Sequence, residues 1–87
     1  MNNLIEIHES DLLDIPASVL VVIKSSLLSR GMTLRAICGA AQIPGPTWDA
    51  WLLGTEKPTR RHWRALVNAL PDETYTLALA AYMRAMQ

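Results

Sequence analysis

Residues 33–54 read TLRAICGAAQIPGPTWDAWLLG, and their spacing predicts two short helices joined by a tight turn. Thr33 suits an N-cap, because its hydroxyl can accept from the unpaired N–H groups of a first helical turn. Leu34, Ile37, Cys38 and Ala41 then recur at helical spacing and define one apolar face. Ile43-Pro44-Gly45-Pro46 stops that helix and begins another. A residue preceding proline is pushed out of the helical region, so Ile43 and Gly45 are boundaries. Pro46 suits a first helical position, where a missing N–H is no loss. Trp48, Trp51 and Leu52 follow at i, i+3 and i+4, and Gly54 offers a left-handed C-terminal cap.

Working outward, the segment Asp14-Ile15-Pro16 has helix-start chemistry. A long helix is expected from Pro16 to Ser29, with Val19, Ile23, Leu27, Leu20, Val22 and Leu28 as a broad buried face and Arg30-Gly31 as its end. Before it, Asn2–Ser10 reads as a short strand or an ordered arm. Beyond Gly54, Thr55–Pro58 is a loop and Thr59 a second threonine N-cap. Trp63, Leu66, Val67 and Leu70 at i, i+3, i+4 and i+7 make residues 60–70 an amphipathic helix. Pro71-Asp72-Glu73 opens a last helix over 73–86. Its stripe of Tyr75, Ala78, Leu79, Tyr82, Met83 and Met86, with Leu77, Ala80, Ala81 and Ala85 covering the rest, predicts burial on more than one side. The whole reads as a single all-α domain, a compact bundle of about five short helices. Residues 1–15 form its N-terminal arm, 16–70 its core and 73–87 a C-terminal helix with a candidate dimer surface.

The 87 residues are about half apolar, enough for a core without staples. A single cysteine excludes an internal disulfide and a cysteine metal cluster, and His8 and His62 have no partner at metal spacing. No apolar run is long enough to span a membrane and no signal-peptide pattern opens the chain, so a cytoplasmic protein is expected. The net charge of zero conceals a segregation. Residues 1–23 carry −4, from Glu6, Glu9, Asp11 and Asp14; residues 24–64 carry +5; residues 65–87 carry −1. The basic middle contains the helix pair. Arg60 and Arg61 fall in the first turn of a helix, where the macrodipole disfavours cations, and a bound phosphate would supply the missing negative charge. A helix, a tight turn and a second helix is also the geometry that lays a recognition helix in the major groove of DNA.

Thr33–Gly54 resembles the helix-turn-helix of the phage repressor and Cro-like family, the xenobiotic-response-element type of regulator. The matching places are Thr33, Ile37, Cys38, Ile43, Trp48, Trp51 and Gly54. Pro58, Leu66 and Leu70 resemble the family's closing loop and fourth helix, and Leu27–Thr33 resembles the approach to the motif. The likeness spans about residues 19–70 and implies a lambda-repressor-like fold. It also implies a cytoplasmic transcriptional regulator, of phage, prophage or plasmid type, that binds double-stranded DNA as a homodimer through the C-terminal helix. A phage or host regulatory protein is a further expected partner.

The resemblance puts backbone contacts on Thr33, Arg35, Thr47, Lys57, Arg60 and Arg61, and the approach to DNA on Pro44, Gly45, Pro46, Thr47, Asp49, Ala50 and Leu53. Two features depart from the family. Gln42 stands where the turn usually has glycine, at a cost of about 1 kcal/mol for a left-handed residue. The second helix opens on Pro44-Gly45-Pro46 in place of hydroxyl and amide side chains. None of Thr47, Asp49, Ala50 and Leu53 is Arg, Asn or Gln, the residues that best read guanine and adenine. Affinity is therefore expected to lean on phosphates and DNA shape. An excisionase-like architectural role, and a protein-interaction module that keeps the fold without binding DNA, are the alternatives. The three tryptophans and Cys38 are expected in the core. No phosphate loop, nucleophile elbow or paired acid set is present, so neither catalysis nor a cofactor or metal is expected.

Overall fold

The computed structural model describes residues 12–87. They form α1 (Ala17–Ser29), α2 (Leu34–Ala40), α3 (Gly45–Leu53), α4 (Arg60–Ala69) and α5 (Asp72–Ala85). The expected all-α bundle of five short helices is what the chain adopts, with boundaries within a residue or so of those read from the sequence. The expected strand or arm over Asn2–Ser10 lies outside the described residues. From Leu12 the chain is tied to the loop before α4: Leu12 forms an isolated antiparallel bridge with Thr59, and the Leu13 N–H donates to the Pro58 carbonyl at 2.8 Å.

Helix starts are of two kinds. Thr33 and Thr59 cap α2 and α4, each hydroxyl oxygen accepting from the backbone N–H three residues on, Ala36 and His62, at 3.1 Å. The other three helices follow a proline: Pro16, Pro44 and Pro71 sit at φ near −60° with extended ψ and give no side-chain cap. The ring presets φ, so the backbone alone defines the start. Pro46 is the second residue of α3, not its first as expected, and loses nothing there because early helical N–H groups have no carbonyl partner within the helix.

The ends of the first three helices share one device. After α1, the Gly31 N–H donates to Leu28 and the Met32 N–H to Leu27. After α2, Gln42 donates to Gly39 and Ile43 to Cys38; after α3, Gly54 donates to Trp51 and Thr55 to Ala50. These paired bonds are the Schellman motif, whose pivot residue is left-handed. The pivots are Gly31 at φ +73°, Gly54 at φ +81° and, without glycine's freedom, Gln42 at φ +59°.

The core gathers Val19, Leu20, Ile23 and Leu27 of α1, Ile37 and Cys38 of α2, Trp48 and Trp51 of α3, and Leu66, Leu70, Ala78 and Ala81. The chain turns by 109° between α1 and α2. α1 packs most extensively on α5. That seam is made of small residues: Thr74, Ala78 and Ala81, at i, i+4 and i+7, are buried, and the Ser26 and Thr74 hydroxyls hydrogen-bond across it at 2.8 Å. An Arg30–Glu73 ion pair closes its end.

One expectation is corrected here. Leu28 lies 62% exposed, outside the buried face of α1. The last helix packs on the domain along one strip, and Tyr75, Leu77, Leu79, Met83 and Met86 on its other sides are exposed in the single chain. Close approach to α1 selects the helix's smallest residues, and that choice turns its large apolar ones away from the seam. Among the described residues, no single helix is long and apolar enough to cross a membrane.

Candidate nucleic-acid interface

The link Ala41–Pro44 joins α2 to α3. Ala41 and Ile43 are buried, Gln42 points outward from the Schellman turn, and Pro44 leads into the next helix. Trp48 and Trp51, with ring centroids 6.1 Å apart and planes tilted by 51°, fix one side of α3 in the core. The opposite side carries Pro46, Asp49 and Leu53 at i, i+3 and i+7, all exposed, with Gly45 exposed before them. Thr47 and Ala50 flank this strip and are half-buried, so they sit at the margins of the outer face. Of the backbone donors at the start of α3, Pro46 has none and the Thr47 N–H bonds the Pro44 carbonyl at 3.0 Å. Little is left there for a phosphate.

The start of α4 lies beside α3. His62 is half-buried, and its ring lies 6.3 Å from that of Trp51 at a 49° tilt. That contact brings the first turn of α4, with exposed Arg60 and Arg61 and no acidic residue, alongside α3. Two cations at the positive end of a helix repel its dipole and attract anions. Lys57, in the preceding loop, pairs with Asp14 at 2.8 Å, both side chains being largely exposed. Thr33 and Arg35, at the opening of α2, are exposed as well.

Cys38 is buried against α3. Burial raises its thiol pKa above the ordinary 9.0, and the Asp49 carboxylate on the neighbouring helix adds to the rise. Among the described residues, no three His, Cys, Asp or Glu side chains gather into a metal-binding group.

One feature escaped the sequence reading. A groove of about 650 Å³ runs between α4, α5 and the Leu12–Ile15 segment. Its signal was present as two apolar stripes, Trp63 and Val67 on α4 and Tyr75, Leu79, Tyr82 and Met86 on α5. Reading each as core hid that they face a shared gap. The chain matches no protein-family model, no curated protein and no solved structure.

Proposed function

We propose that the chain is a double-stranded-DNA-binding regulator in which α2 and α3 form the helix-turn-helix. The outer face of α3 enters the major groove and the start of α4 holds phosphates. The observation that carries this reading is the Trp51–His62 contact, which sets the core side of α3 beside a helix start bearing Arg60 and Arg61. Cations at a dipole-positive helix end are disfavoured unless an anion such as a phosphate comes to them. Thr33, Arg35, Thr47 and Lys57 extend the phosphate-facing set, and Pro44, Gly45, Pro46, Asp49, Ala50 and Leu53 border the bases.

The resemblance to the phage repressor and Cro-like family supports the same assignment. It also suggests a repressor of phage, prophage or plasmid type acting in the cytoplasm. A two-fold dimer would use the arc of α5 turned away from both α1 and the groove, where Leu77 and Met83 are 45% and 60% exposed. Operator half-sites would then lie roughly one helical turn, about 34 Å, apart.

The exposed strip Pro46, Asp49 and Leu53 specifically favours a second reading, an architectural or excisionase-like role. It offers no amide or guanidinium to a base edge. Selection from a random duplex pool separates the two. A recovered repeat of fixed spacing supports the repressor. Salt-sensitive binding without a motif supports the architectural protein. No binding at low salt removes both and leaves a protein-interaction module.

A further inference from the structure

The groove between α4, α5 and the Leu12–Ile15 segment holds about 650 Å³, within the size class of small-molecule clefts, about 300–1,000 Å³. Its walls are apolar and aromatic. Trp63 of α4 and Tyr75 and Tyr82 of α5 bring three rings to one gap, and buried Val19 and Ala78 line it with them. Tyr75 and Tyr82 stand at i and i+7, on one face of α5. A helix is about 10 Å across, so this volume would hold roughly a turn and a half of one. That is too short for the i to i+7 anchors by which helices dock in grooves, and it suits a small molecule better.

The charges at the groove narrow the chemistry. Asp14, Arg60 and Arg64 are the charged residues of the described lining. Asp14 is paired with Lys57, in the loop before α4, and Arg60 has a contact of its own. Arg64, a full turn into α4 and exposed, makes no ion pair with a described residue. The hydroxyls of Tyr75 and Tyr82 likewise bond to no described residue. Aromatic walls take up a planar apolar body through offset or edge-to-face ring contacts. A guanidinium at the rim takes a carboxylate or sulfonate, because its planar fork matches two oxygens at once. We propose that the groove binds a small organic anion, a planar aromatic body bearing one carboxylate or sulfonate, with Trp63 and Tyr82 against the body and Arg64 on the anion. Trp63, Tyr82 and Arg64 are distinct from the residues assigned to DNA, so the site stands or falls apart from that reading.

Two probes of nearly equal shape test it on the full chain, anilinonaphthalene sulfonate and the neutral phenylnaphthylamine. In isotope-labelled protein, each should shift the indole N–H of Trp63, assigned through Trp63→Phe, and leave those of the buried Trp48 and Trp51 in place. Arg64→Gln, an exposed change outside the core, should weaken the sulfonate by about two- to fivefold, the scale of an exposed ion pair. It should leave the affinity for the neutral probe and the denaturation midpoint unchanged. No shift at Trp63, or shifts spread over all three indoles, overturns the site. An Arg64→Gln variant that weakens both probes alike, or neither, overturns the assignment of the anion. Probe affinity that falls as protein concentration rises overturns the proposal in favour of a second copy of the chain in the groove.

Discussion

At the residue scale, two backbone positions and one thiol have calculable consequences. Gln42 holds φ +59° with its side chain exposed, so Gln42→Gly should raise stability by up to about 1 kcal/mol, read as a higher denaturation midpoint. Gly31 performs the same turn with glycine, and Gly31→Ala should lower stability by about 1 kcal/mol although a Cβ there meets open space. Opposite signs at two copies of one motif would identify left-handed strain as the cause; equal signs would refute it. Cys38 gives a pH test. Its folded thiol holds its proton more tightly than the unfolded one, so its contribution is full below the ordinary 9.0 and is lost as pH rises above it. Urea midpoints should therefore fall above about pH 9 in the native chain and hold steadier in Cys38→Ala. An identical decline in both would assign the alkaline loss to other groups.

At the scale of elements, the threonine caps and the α1–α5 seam govern how the site is presented. Thr59→Ala should cost about 1 kcal/mol and loosen the first turn of α4, so DNA affinity should drop by more than the phosphate contacts alone explain. Thr33→Ala should cost a similar amount at α2, with amide exchange in the first turn of each helix showing which one frays. These helices were legible because their signals are local: a cap hydroxyl, a proline that presets φ, a pivot for the Schellman turn. The sequence was least informative about α5. Its composition is apolar nearly all round, and periodicity cannot say which apolar strip packs when several compete. The seam went to Thr74, Ala78 and Ala81 because only small side chains let α5 approach α1, and to Thr74 also because Ser26 satisfies its hydroxyl. Ala78→Leu should therefore destabilise by about 1–3 kcal/mol through overpacking, whereas Leu79→Ala, at an exposed groove wall, should cost far less. Leu28 was misread for the same reason: apolar character predicts burial only where a partner element arrives.

At the scale of the whole molecule, the neutral chain divides its charge. An acidic N-terminal stretch, a basic middle and a mildly acidic C-terminal stretch sum to zero, and the net charge describes none of them. The residues of the candidate interface could be named from sequence, because a helix pair flanked by arginines is a contiguous pattern. Their arrangement could not. That His62 joins α3 to α4, that Thr47 and Ala50 sit at the margin of the outer face, and that a groove lies behind Arg60 all depend on contacts between elements distant in sequence. The central claim is that the start of α4 and the outer face of α3 act together on duplex DNA. The measurement that tests it most directly is a salt titration of duplex binding by the native chain and by Arg61→Ala. The account predicts a linear fall of log affinity with log salt, with a slope of about −0.9 per neutralised phosphate. It predicts that Arg61→Ala weakens binding alike on all sequences and reduces the magnitude of that slope by about one. Absence of binding at low salt, or a slope that Arg61→Ala leaves unchanged, would contradict it.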